Sequence, residues 1–306
     1  MFRPIVLSFV LLASCSFSDG TEPIEPAAAV RAAYRTAVDL SPCPGEDDDT
    51  ASARLSIARA RAMADLPALR CDALAGTAAK AHCAYIQSNG GVLTHFEVAG
   101  KPGFTGVTFE DRLACAKFVE KPAGEVLANI SGATVIEGAR GFLNSVYHRA
   151  PFLRAETTSF GYGHMGDCAV IDFGRLGDSE DEDDDHDDAL VLWPPDGATN
   201  VATSFHAAGE LPNPVPGSNV VGSPVSLIRT APLANVSATL RGPTGALPFT
   251  LVTKATDAAG LVRAGEVHLV PKSPFAKHTT YVVRFSFGAN AAKTTTVQTS
   301  FTTGGE

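Results

Sequence analysis

The sequence predicts an α+β fold in two parts, a mixed helix-and-strand region followed by an all-β region. Three observations predict it. Apolar residues recur at helical spacing between residues 53 and 85; from residue 224 on they fall in short β-rich runs separated by Gly and Pro; and all six cysteines lie at or before Cys168. With 306 residues and 45% hydrophobic content, the chain is long enough for two cores.

The first element is a leader. Arg3 precedes a short apolar run, Ile5 to Leu12, broken only by Ser8 and followed by Leu12-Ala13-Ser14-Cys15. The run is shorter than the roughly 20 apolar residues a spanning helix needs, so residues 1–14 read as a secretion signal. Leu-Ala-Ser-Cys resembles a bacterial lipobox, with Cys15 as the acylated first residue of the mature chain. An ordinary signal peptide cut near Ala13 or Ser14 is the alternative. The expected product is an exported, membrane-anchored lipoprotein of the cell envelope, at the outer membrane or cell surface, held by its lipid alone. Residues 15–52 then read as a tether with one Ala-rich helical stretch, Ala27 to Leu40, and an acidic loop, Glu46 to Asp49.

The helices follow in order. Leu55, Ala58, Ala62 and Leu66 make one apolar face of a helix from Ala53 to Asp65, which Pro67 ends. Leu74, Ala78, Ala81 and Tyr85 repeat the pattern on a second helix, closed by Asn89-Gly90-Gly91. A third short helix contains Cys115, with Asp111 near its N-terminus, where the dipole favours an acid; Asp111-Arg112 is assigned a structural role. A fourth, Thr134 to Tyr147, has Val135, Ala139, Phe142, Leu143 and Val146 on one face and ends at Pro151. At 100° per residue, Ser145 lies ~100° and His148 ~160° from the centre of that face, beside the core rather than in it. Phe160-Gly-Tyr-Gly and Cys168-Ala-Val-Ile-Asp-Phe-Gly read as closing strands.

Cysteine usage fits an oxidising compartment, and after Cys15 the count is odd (Cys43, Cys71, Cys83, Cys115, Cys168), so at least one thiol is unpaired or joins another chain. Cys71 and Cys83 are not expected to pair, because a helix between them holds them ~18 Å apart. The connectivity is otherwise open. Net charge is −9, and the run Asp178 to Asp188, interrupted only by Ser179 and His186, accounts for it. Such a run reads as a solvated linker, residues 176–190, with calcium capture as a sharper alternative. No basic patch opposes it, which argues against nucleic acid as a partner.

Three polar residues stand out: His95 in Gly-Val-Leu-Thr-His, Glu125 in Gly-Glu-Val, and His148 in Phe-Leu-Asn-Ser-Val-Tyr-His-Arg. Two neutral imidazoles and a carboxylate match the ligand pattern of open zinc sites, whose bound water ionises near pH ~7. A second route takes Ser145 as nucleophile, His148 as base and Glu125 as its orienting carboxylate, although no nucleophile elbow accompanies it. In a third reading the three residues hydrogen-bond one another and tie loops together.

Their surroundings resemble the CAP superfamily (cysteine-rich secretory proteins, antigen 5, pathogenesis-related proteins) in its bacterial form. Asp65-Leu-Pro-Ala-Leu-Arg-Cys-Asp and Ala78-Ala79-Lys80-Ala81-His82 look like its first two helices, with His82 at the edge of the core. Thr94-His95, Gly124-Glu125-Val126 with Val where Asn is usual, and Gly141-Phe-Leu-Asn-Ser-Val-Tyr-His-Arg-Ala complete the set. The second Glu that eukaryotic relatives place near Ser145 is missing. The resemblance implies a three-layer α-β-α sandwich over residues 53–175, with a polar cleft at His95, Glu125 and His148. It implies binding of a lipid or other small hydrophobic ligand, or of an envelope or surface protein, rather than turnover.

Residues 191–306 change grammar. β-rich runs at Pro224 to Thr230, Val236 to Leu240, Phe249 to Thr253, Glu266 to Pro271, Thr279 to Phe287 and Thr295 to Thr302 predict a β-sandwich. Trp193-Pro-Pro-Asp-Gly-Ala-Thr-Asn-Val, and Leu269 through Tyr281 with Ser300-Phe-Thr-Thr, resemble bacterial Ig-like domains, which implies spacing or adhesion.

Overall fold

The computed structural model describes residues 42–130, 141–175, 189–289 and 293–305. The leader with Cys15, the stretch Ala27 to Leu40, the start of the helix expected at Thr134, and the acidic run with its calcium reading lie outside the described residues. Among the described residues no helix is long and apolar enough to cross a membrane.

Asp47 caps helix α1 (Asp48–Met63) by accepting from the Thr50 N–H at 2.8 Å, and Asp48 and Asp49 occupy its first turn. The acidic cluster expected in a loop therefore starts the helix. Helix α1 buries Ala53, Ile57, Ala60 and Met63, while Leu55, on the expected face, is 41% exposed. Alanines on every side of this helix blur its apolar stripe, and the bulk of Ile57 and Met63 decides which side faces in.

Strand β1 (Arg70–Cys71) leads into α2 (Ala73–Ser88), capped by Asp72 through the N–H groups of Leu74 and Ala75. It ends at Asn89, where Gly90 and Gly91 take positive φ. Its buried side carries Ala75, Ala79, His82, Cys83 and Ile86, and Leu74 of the expected face is exposed. The helix sits directly on glycines of β3 (Thr157–Met165): a Cβ at Gly161 would stand 2.0 Å from the Gly76 nitrogen.

With β2 (Lys121–Asn129) and β4 (Cys168–Arg175), the sheet runs β1-β3-β4-β2, the first pair parallel and the others antiparallel. Leu127 and Val170 face α2, while Val126, Ile171 and Phe173 pack on the other face with α1 and with Phe152 and Leu153. Helix α3 (Phe109–Cys115) packs beside α2 through Leu113, with a capping box between Thr108 and Asp111. Phe152 and Leu153 belong to α4 (Ala150–Leu153), so helices cover both faces of the sheet in three layers. Disulfides join Cys43 to Cys71 and Cys83 to Cys168, and Cys115 is free.

Two local expectations change. Of the helix expected through Tyr147, only residues 141–143 of the described part are helical, and residues 144–149 form turns. The reason is a competing acceptor: the N–H groups of Val146, Tyr147 and His148 donate to the Glu210 carboxylate instead of to preceding carbonyls. The helical-wheel placement of Ser145 and His148 therefore does not hold. Pro151, expected as a terminator, lies in the first turn of α4.

The C-terminal part is a two-sheet β-sandwich. One sheet contains, in spatial order, β11 (Gly245–Ala246), β10 (Ser237–Gly242), β14 (Thr280–Gly288), β15 (Thr294–Thr303) and β6 (Ala198–Val201). The other contains β12 (Phe249–Thr253), β13 (Glu266–Pro271), β9 (Val225–Arg229) and β5 (Leu190–Trp193), and a pair, β7 (Ser204–His206) and β8 (Val220–Gly222), lies apart. Val283, Phe285 and Phe301 of the first sheet meet Val225, Leu227, Val267 and Leu269 of the second. The two parts of the chain share a core: Val191, Trp193 and Ile228 pack with Phe142, Phe152 and Phe173.

Candidate functional site

The site is built from a chain of buried charges. Arg112 of α3 is fully buried; its guanidinium pairs with the Glu125 carboxylate of β2, donates to the His95 carbonyl at 3.1 Å and lies 4.0 Å from Glu97. Glu97 also accepts from the Thr105 N–H at 2.6 Å and bonds to the Nδ1 of His82 at 2.9 Å. His82 is therefore not at the edge of the core, as expected, but fully enclosed, its Nε2 held by the Thr94 carbonyl at 2.7 Å.

At the outer end of this chain, Glu125 accepts from the Nδ1 of His95 at 2.7 Å. Burial alone would raise the Glu125 carboxyl, but the His95 hydrogen bond and the charge of Arg112 outweigh it and hold it below the usual carboxylate range. An ionised Glu125 keeps the proton on Nδ1 and leaves the Nε2 of His95 as a free acceptor on a side chain 42% exposed. Exposed apolar side chains surround His95 in sequence: Val92, Phe96, Val98, Phe104 and Val107.

Behind Glu125, its cross-strand partner Asp172 is fully buried, and neither carboxyl oxygen has a hydrogen-bond partner among the described residues. Burial, and then the Glu125 charge, raise Asp172 well above its ordinary value.

The structure shows a direct contact for one pair of the expected trio. His95 and Glu125 meet, but the Nδ1 of His148 bonds to Glu210 at 2.8 Å. Both oxygens of Glu125 are engaged by His95 and Arg112, and among the described residues no group of three or more His, Cys, Asp or Glu side chains converges as metal ligands. The three-ligand zinc arrangement does not fit these residues. Nor does the serine route: the Ser145 hydroxyl is buried and donates to the Phe142 carbonyl at 2.6 Å, while Glu125 orients His95, not His148.

Glu97, Asp172 and Glu210 were not singled out from the sequence, and Arg112 was read only as a helix-start residue. Asp172 carried a signal, a lone acid in the apolar run Cys168-Ala-Val-Ile-Asp-Phe. Glu210, in Ala-Gly-Glu-Leu-Pro, carried none.

Residues 56–173 match the profile of the cysteine-rich secretory protein family, CAP. This segment is a CAP domain. Among solved structures, the chain is similar to an extracellular protein containing an SCP domain from Bacillus anthracis strain Ames: 24% identity, 42% of this chain and 41% of that one, TM-score 0.36. It thus spans 41% of that protein's length. An outer surface protein from Borrelia burgdorferi is similar at 22% identity over 43% of this chain and 95% of that one, TM-score 0.36. A methionine-rich copper resistance protein from Escherichia coli shows 15% identity over 27% of this chain and 82% of that one, TM-score 0.22. No curated protein matches the chain.

Proposed function

We propose that this chain is an exported, lipid-anchored envelope protein, acylated at Cys15, whose CAP domain binds a small amphipathic ligand at the cleft of His95, Glu125 and His148. The observation that carries the reading is the placement of His95. A rigid, buried ion chain fixes an exposed imidazole with a free Nε2, and the side chains of Val92, Phe96 and Val98 beside it in the loop are exposed and apolar. A hydroxyl headgroup donates to that nitrogen while an apolar chain covers the exposed side chains. The two disulfides support an oxidising compartment, and the C-terminal strands support an Ig-like sandwich as the second domain.

The test uses the chain from Ser16 onward and a fluorescent monoacylglycerol as probe. Saturable binding by the wild type, weakened about tenfold by His95→Ala through loss of one hydrogen bond, is the expected result. Equal binding by both proteins refutes the reading. One zinc per chain, lost in the double variant His95→Ala/His148→Ala, replaces the organic ligand with a metal.

A further inference from the structure

We propose that Glu210, which lies outside the CAP segment, is the positioning residue for His148, so that the ligand cleft is completed by the C-terminal part of the chain. The inference rests on the ligand-binding reading above. Its first support is a parallel between two histidines. His95 gives its Nδ1 to Glu125 at 2.7 Å and His148 gives its Nδ1 to Glu210 at 2.8 Å, and in both rings Nε2 has no partner among the described residues. An imidazole whose Nδ1–H is held by a buried carboxylate has its tautomer and ring orientation set from behind.

The second support is the way Glu210 is held. Its side chain is 2% exposed, and its two oxygens take the N–H groups of Val146, Tyr147 and His148 at 2.8, 2.7 and 3.1 Å as well as the imidazole. Burial would raise this carboxyl, but the His148 bond and charge and the backbone donors hold it below its ordinary range. The anion is thus fixed by the same short segment whose histidine it orients.

The third support is that almost the whole His148 segment leans on the C-terminal part. Asn144 donates to the Ser204 carbonyl at 2.9 Å, Val146 packs with Phe205 and Val221, the Tyr147 hydroxyl donates to Asp257 at 2.7 Å, and Arg149 donates to the Pro224 carbonyl at 2.7 Å. Residues 144–149 belong to the CAP segment by sequence, yet their conformation is set from outside it.

The experiment is nitrogen-15 NMR of the histidine side chains in the full chain from Ser16 onward, with the fluorescent monoacylglycerol titrated in parallel. In the wild type, both His95 and His148 are expected as Nδ1–H tautomers. Glu210→Ala should move His148 to the Nε2–H form that free imidazole prefers, leave His95 unchanged, and weaken the probe about tenfold, to the level of His148→Ala. Glu210→Gln keeps an acceptor oxygen and should restore the Nδ1–H form. An unchanged His148 tautomer in Glu210→Ala overturns the proposal, even if stability falls. If that variant does not fold, the wild-type spectrum decides, because an Nε2–H form of His148 there overturns it equally. A tautomer switch together with a probe that binds His95→Ala as well as wild type sinks the ligand-binding reading and leaves the role of Glu210 standing.

Discussion

Replacing Arg112 with Leu removes the hub of the buried charge chain while keeping most of its volume. The Arg112 and Glu97 side chains are 0% exposed and that of Glu125 is 1%, so solvent cannot compensate either carboxylate. Glu97 would keep His82 and the Thr105 N–H, and Glu125 would keep only His95. Stranding one buried charge costs about 3–5 kcal/mol, and the lost bond to the His95 carbonyl adds about 1. Urea unfolding at pH 7, followed by far-ultraviolet circular dichroism, measures the sum as a lower midpoint. Adding Glu125→Gln removes the stranded charge and should recover about 1–3 kcal/mol. The pH dependence has a definite sign. The folded-state pKa of Glu125 lies below its ordinary 4.5, so its stabilisation is present above pH 4.5 and is lost as pH falls through the folded value. Without Arg112 the part of that depression due to its charge goes, while the His95 bond keeps the rest, and the variant's deficit should shrink below pH 4.5. A loss under about 1 kcal/mol, the size of an exposed pair, or a deficit that stays constant on acidification, refutes this account.

Two further outcomes follow from neighbouring groups. The folded-state pKa of Asp172 is raised above its ordinary 3.8, so its contribution is full below that pH and falls away as pH rises; Asp172→Asn should be more stable than wild type at pH 8 by about 1–3 kcal/mol in urea unfolding, with the gap closing towards pH 4, and equal stabilities at both pH values contradict it. The Cys83–Cys168 disulfide spans 85 residues and Cys43–Cys71 spans 28. Chain entropy gives about 4.5 and 3.5 kcal/mol respectively, so replacing the first pair with alanine should lower the melting temperature more, and the reverse order counts against the entropic argument.

What was legible in the sequence was local. Asn89 and the glycines after it close α2 as expected, and the β-rich runs after residue 224 form strands, with burial alternating along β14. His95 and Glu125 were legible because each sits in a short motif, and the structure brings them together. The faces of α1 and α2 were read correctly at Ala58, Leu66, Ala78 and Tyr85, which are buried, but not at Leu55 and Leu74, which are exposed, because alanine packs on either side of a helix and the partner surface chooses between them. His148 was recognised but its partner was not. The acceptor that unwinds residues 144–149 stands at position 210, and no local pattern announces a contact across such a separation. Arg112 illustrates the same limit: its sequence neighbourhood describes a helix start, while its function comes from Glu97 and Glu125 on other elements.

The junction between the two parts divides stability from specificity. Apolar contacts supply the first: Trp193 and Val191 enter the CAP core, and Val146 enters a cluster with Val215, Val252 and Val270. They are non-directional and would tolerate a slide of one part over the other. The buried ionic contacts would not. Arg154 meets Glu266 at 2.7 Å and donates to the Ala123 carbonyl, Arg149 reaches Pro224 and Ser226, and Glu210 takes its donors from 146–148. Desolvation offsets much of what such pairs gain, so they add little net stability to a correct junction, but a shifted one leaves each charge buried and unpaired at several kcal/mol apiece. The arginines and Glu210 therefore act as register marks. A cleft whose second histidine is oriented across this junction needs that register, because a displacement of about 1 Å breaks a hydrogen bond while hardly disturbing apolar burial.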